Sequence, residues 1–140
     1  MPSKCDKKSI IQSSIAVVEP KNISFSFEHY DTNREYCLSN WEKEQIALTL
    51  NRLKDINNKT FNQMTRESKV YHFHQVVWED TIKQDGFPEP LAKKLPAFLF
   101  ALLGVNGQKA RVYGALLKDI FYIVWFDFNH EIWPTMKKNT

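Results

Sequence analysis

Apolar and polar residues alternate without a break along Ile23, Ser24, Phe25, Ser26, Phe27, Glu28 and His29. That is the period of a strand with one buried face. Phe25 and Phe27 are expected to face the core, with His29 at the end of the same row. Before it, residues 10–18 read as an edge strand that Pro20 stops, because proline has no N–H for a ladder. Further on, Ile46, Leu50, Leu53 and Ile56 step by four, three and three, one face of a helix. Ser39 and Glu42 have capping-box spacing at its start, and Asn57-Asn58 ends it. Thr60 and Gln63 repeat that spacing and predict a short second helix near 61–65.

Residues 70–78 alternate again and predict a strand. Tyr71, Phe73, Gln75 and Val77 lie on one face; Val70, His72, His74 and Val76 lie on the other. Residues 79–95 hold Gly86, Pro88 and Pro90 among charges and read mainly as loop, with a helical turn at 88–94. Strands follow at 97–103, 110–117 and 120–126. Asn106-Gly107 is a strong hairpin signal between the first two, and Lys118-Asp119 is a tight turn between the last two. Residues 127–130 are a turn, and 131–133 can close the sheet before Pro134. A strand, two helices and then mostly strands predict an α+β fold: a curved antiparallel sheet of four to six strands, with one main and one short N-terminal helix packed on a face. The expected organisation is an arm or edge strand at 1–20, a single α+β domain at 21–134 and a tail at 135–140.

Composition narrows this picture. The 140 residues suit one domain. No apolar run approaches the ~20 residues that span a bilayer, and Gln12, Ser13 and Ser14 break the only N-terminal run that could pass for a signal. A cytoplasmic protein without a membrane partner is expected. Cys5 and Cys37 have no metal spacing and no CxxC motif, so two thiols are expected rather than a bridge. Net charge is only +3, which argues against broad electrostatic binding to nucleic acid. With four glycines and no phosphate-cradling loop, no nucleotide cofactor is expected.

The densest polar signal is Arg111-Val112-Tyr113-Gly114 followed by residues 120–130, ending Asp127-Phe128-Asn129-His130. If Leu117 and Ile120 flank the turn, Arg111 falls opposite Phe126 and Gly114 opposite Ile123. Arg111 can then reach Asp127 or approach His130. Gly114 inside a strand marks a bulge or a close approach. Locking the turn is the better role for Asp127, whereas His130 adds nothing to the turn that another polar residue would not supply. A second signal is His72-x-His74. On a strand, two such imidazoles point the same way, about 7 Å apart. They suit an acid and a base across one phosphate or, more weakly, two ligands of a metal that His130, Asp127, His29 or Asp31 would have to complete. A third is the aromatic set Trp41, Trp78, Trp125, Trp133, Tyr71 and Tyr113, which could stack bases but which a small core would also use. Short basic ends at Lys4, Lys7, Lys8, Lys137 and Lys138 read as solvated termini.

The stretch from Arg111 through Phe121-Tyr122-Ile123-Val124-Trp125 to Asp127 and His130 is similar to a group of small bacterial proteins. Those end in an Arg-bearing strand, a Phe-Tyr-x-x-Trp strand and Asp-x-x-His. More distantly, the element order resembles the RelE/YoeB-like toxins of toxin–antitoxin systems, where two helices precede an antiparallel sheet. That resemblance implies an mRNA endonuclease, ribosome-associated or free, neutralised by a cognate antitoxin. It implies metal-independent cleavage through attack by the ribose 2′-OH, with Arg111 as the phosphate-binding cation and His130 or Tyr113 as proton donor or acceptor. His72 and His74 match no position of that pattern, and their inclusion follows from the residues alone. The chain departs from those toxins in being longer, barely basic and without Lys/Arg-rich helix faces.

Two functions of different class follow, and a weaker third. One is a ribonuclease toxin or defence effector built on Arg111, His130, His72, His74 and Tyr113, with RNA or the ribosome as partner. The alternative is a non-catalytic interaction or regulatory module, an antitoxin-like partner presenting an aromatic sheet. The third is a metal-dependent hydrolase on His72 and His74.

Overall fold

A computed structural model describes residues 20–134 of the chain. The expectations for residues 1–19, including the edge strand at 10–18 and Cys5, and for the basic pair at 137–138 lie outside the described residues. The fold is α+β. Strands β1 (Ser24–Ser26), β2 (His74–Gln75), β3 (Ala97–Ala101), β4 (Arg111–Leu117) and β5 (Ile120–Asp127) form one sheet. Helices α1 (Lys43–Asn57), α2 (Phe61–Arg66) and α3 (Ser68–Tyr71) lie between β1 and β2. The strand order is β1-β5-β4-β3-β2. All neighbours are antiparallel except β1 and β5, which run parallel with Phe25 opposite Phe121. The sheet is therefore mixed, not antiparallel throughout as the hairpin signals implied.

Local chemistry explains most of the elements. The α1 sequence contains no glycine or proline, and nine of its 15 residues are Leu, Lys, Ala, Arg, Glu or Gln, all good helix formers. Its cap lies three residues beyond the expected Ser39: Glu42 is the N-cap, and its backbone N–H donates to the Gln45 side chain at 2.9 Å. Its inward face is Thr49, Arg52, Leu53 and Ile56. Leu50, expected in the core, is 60% exposed. Arg52 replaces it, with Nε donating to the Ala101 carbonyl at 2.9 Å and Nη2 to the Val70 carbonyl at 3.0 Å. Its guanidinium also lies 4.3 Å from the Tyr71 ring centroid. Thr60 and Gln63 do cap α2 reciprocally, as their spacing predicted.

Three expected strands differ. The first keeps only Ser24–Ser26; the chain then turns, with Tyr30 N–H donating to the Phe27 carbonyl, and Phe27 is 55% exposed rather than in the core. The strand expected at 70–78 is broken up. Residues Ser68–Tyr71 are helical, His72 caps them at φ 52°, only His74–Gln75 pair, and Trp78–Asp80 is a 3-10 turn. Residues 131–133 form a bend rather than a closing strand.

Each sheet face has its own core. Phe98, Phe100, Val112, Phe121, Ile123 and Phe126 pack with Leu53, Ile56 and Met64 on the helical side. Leu99, Tyr113, Ala115, Val124 and Trp125 pack with Tyr36, Trp78, Phe87, Leu91 and Ile132 on the side covered by loops. No helix among the described residues is long and apolar enough to cross a membrane.

Candidate functional site

The β4–β5 ladder runs regularly from Leu117 opposite Ile120 to Gly114 opposite Ile123, then shifts, so that Tyr113 faces Trp125 and Arg111 faces Asp127. Val124 is the extra residue, a β-bulge. Gly114 belongs to it by necessity: a Cβ there would run into the Phe121 ring and the Tyr122 carbonyl. The sequence reading placed Arg111 opposite Phe126, one residue off, because a regular ladder has no bulge. The bulge also changes which side chains share a face. Under strict alternation Trp125 would join Phe121 and Ile123; instead it lies with Tyr113 on the loop-covered side.

On that side, His74 pairs with Leu99, Leu99 with Tyr113, and Ala101 with Arg111. Residues directly opposite in a ladder share a face, so His74, Leu99 and Arg111 stand on one surface at the open end of the sheet. His72 reaches the same place from the end of α3, and His130 from the turn after β5. These residues line an open cleft of ≈ 520 Å³ whose remaining walls are Gln75, Trp133 and Pro134. Four of the five residues singled out in the sequence therefore meet. Their union does not depend on the expected long strand, since His72 arrives as a left-handed helix cap and only His74 as a strand residue.

Tyr113, the fifth, does not line the cleft. It is fully buried (0% exposed) beside Trp125. Burial and the nearby Asp127 push its pKa well above the ordinary tyrosine value. It cannot exchange protons with a ligand in the cleft, which removes it from the candidate catalytic set.

Asp127 has the turn-locking role. Its carboxylate accepts from the N–H of Glu131 at 2.9 Å and of Ile132 at 2.8 Å, and no ion pair joins it to Arg111. The Arg111 Nη1 group donates to the carbonyls of Gln108 and Ala110. Its Nε and Nη2 make no hydrogen bond among the described residues, and neither do the imidazoles of His72, His74 and His130. Burial holds the pKa of His130 below the ordinary imidazole value, and the charges of Arg111 and His72 add to this. His72 is lowered in the same way, by burial, then Arg111, then His74. Among the described residues, no carboxylate lines the cleft. A concave surface with one guanidinium, three imidazoles and no acid favours an anion, and binding one would favour the charged imidazoles.

Of the four residues that could complete a metal site, only His130 joins His72 and His74 in the cleft. His29 and Asp31 line a different depression beside Pro88, Glu89 and Pro90, and Asp127 is committed to the turn. Among the described residues, no group of three or more His, Cys, Asp or Glu side chains is arranged to hold a metal. Most of the aromatic set is core: Trp78, Trp125, Tyr71 and Tyr113 are buried. Trp133 is the exception that reaches the cleft. Leu99 and Gln75 were not legible as site residues, because a Leu inside an apolar strand and an exposed Gln carry no chemical signature. Comparison of the chain with protein-family models, with curated proteins and with solved structures gives no match.

Proposed function

We propose that the cleft cleaves RNA by metal-independent acid–base chemistry, with Arg111 binding the scissile phosphate and His72 and His130 as the proton-transferring pair. The observation that carries this reading is the convergence of Arg111, His72, His74 and His130 on one cleft, with no carboxylate lining it among the described residues. A neutral imidazole takes the proton of the ribose 2′-OH, and the oxygen attacks phosphorus. The P–O5′ bond breaks, and a protonated imidazole returns a proton to the leaving oxygen. The products are a 2′,3′-cyclic phosphate and a free 5′-OH. Arg111 neutralises the charge that grows on the non-bridging oxygens, where a fixed donor is most effective. Keeping the free imidazoles neutral supplies the base. Phosphate binding next to them favours the protonated form, which supplies the acid. His74 lies against the same phosphate path as a third donor.

Single-stranded RNA incubated with the purified chain should be cut in the presence of EDTA. Arg111→Ala and His130→Ala should each slow cutting about a hundredfold or more. Equal rates for these variants and the parent chain would remove the reading in favour of the interaction module.

A further inference from the structure

The cleft lining is mixed: Arg111, His72 and His130 are polar, and Leu99, Trp133 and Pro134 are apolar. Trp133 is partly buried: it packs against the loop-side core cluster and also lines the cleft. The residues before it are anchored at several points. Asp127 accepts from the N–H of Glu131 and Ile132, the Ile132 carbonyl accepts from the Ile82 N–H at 2.9 Å, and the Ile132 side chain is fully buried. The backbone leading into Trp133 is thus held at the wall of a cleft whose volume lies in the range of ordinary small-ligand sites.

A partly buried indole lining the same cleft as a guanidinium whose Nε and Nη2 make no hydrogen bond among the described residues suits a ligand that carries both a planar π-face and an anion. A nucleotide has that form. An aromatic platform takes any base but needs it unpaired and unstacked, because a duplex hides both faces of every base. We infer that Trp133 is a base-stacking platform, and that the ligand class of the cleft is single-stranded nucleic acid with an unpaired base beside the phosphate held at Arg111. The inference rests on the nuclease reading for its choice of a phosphodiester ligand, and it adds strand state and a positioning residue to it.

The test is fluorescence anisotropy with three labelled probes that cannot be cut by 2′-OH attack: a single-stranded DNA hexanucleotide, the same backbone abasic at every position, and the hexanucleotide in a duplex. The parent chain should bind the single strand most tightly. Trp133→Ala should weaken that binding on the order of tenfold and leave the abasic probe unaffected. Trp133→Phe should retain most of the affinity. Equal affinity of the parent and Trp133→Ala for the single strand, or an equal loss on the abasic probe, would overturn the platform. RNA cutting is assayed in parallel. Trp133-dependent binding without cutting keeps the platform and removes the nuclease. Cutting with Trp133-independent binding keeps the nuclease and removes the platform.

Discussion

A side chain with a Cβ in the left-handed region carries a backbone cost that glycine avoids, and His72 and His130 both occupy it, at φ 52° and 58°. Neither imidazole hydrogen-bonds a described residue; at His72 it is the backbone that is used, its N–H donating to the Ser68 carbonyl to cap α3. Ala92, Asn106, Gln108 and Lys118 share that backbone region away from the cleft, so the place of the two histidines in the cleft lining, not φ alone, sets them apart. His72→Gly and His130→Gly should therefore leave thermal stability unchanged or raise it by up to about 1 kcal/mol. Both should still lose RNA cutting about a hundredfold or more. Cutting retained in either variant contradicts the roles given to these residues. The sequence singled out His130 because a turn does not need it. It singled out His72 and His74 through a strand that does not exist over that length. The pair was legible because alternation of buried and exposed side chains survives the helix-to-strand transition: Tyr71 and Phe73 are inside, His72 and His74 outside.

At the scale of elements, the β4–β5 hairpin was readable and its bulge was not. Lys118-Asp119 fixes the turn, and from there the register to Gly114 follows by counting. Beyond Gly114 the register depends on Val124 being inserted, which only packing decides. Both Val124 and Trp125 are needed to fill the loop-covered core, and two adjacent residues can share a face only where pairing slips. The slip sets Asp127 opposite Arg111, where its carboxylate can tie down the segment carrying Trp133. Gly114→Ala would force a methyl group into the Phe121 ring and the Tyr122 carbonyl. A loss of about 2 kcal/mol is expected in urea unfolding, and no loss would mean that the bulge is not tightly packed there. The face of α1 was misread for a related reason. Leu50 fits the apolar period, but the neighbouring carbonyls of Ala101 and Val70 select the long donor Arg52 for the inner position.

At the scale of the whole molecule, the α+β order and the strand number were legible, but the parallel pairing of β1 with β5 was not. It joins residues far apart in sequence, and no turn signals it. The charge balance also reads differently in three dimensions. A net charge of +3 is spread over the chain, yet the cleft itself holds a guanidinium and three imidazoles, with no acid on its walls among the described residues. His72 and His130 are lowered below the ordinary imidazole value, chiefly by burial and then by Arg111. The stability this contributes is present above the unfolded imidazole pKa of about 6.5 and is lost as pH falls through and below it. Asp127, raised above the ordinary carboxylate value by burial, works in the opposite sense: its cost at neutral pH is relieved as pH falls through its raised pKa. Melting temperature should therefore fall between about pH 7.5 and 5.5 in the parent chain and fall less in a His72→Asn, His130→Asn double variant. Inorganic phosphate should also flatten the slope, by stabilising the charged imidazoles. Identical slopes in parent and double variant would mean that the two histidines do not titrate against Arg111.

The most direct measurement is the chemistry of the new 3′ end when a single-stranded RNA is treated with the purified chain in EDTA. Arg111 and the histidines acting on a 2′-OH give a 2′,3′-cyclic phosphate, and a single 2′-deoxy substitution at the cleaved nucleotide abolishes that cut. Uncut RNA, an end without the cyclic phosphate, or the same product from Arg111→Ala at the parent rate contradicts a phosphodiester-cleaving centre in this cleft.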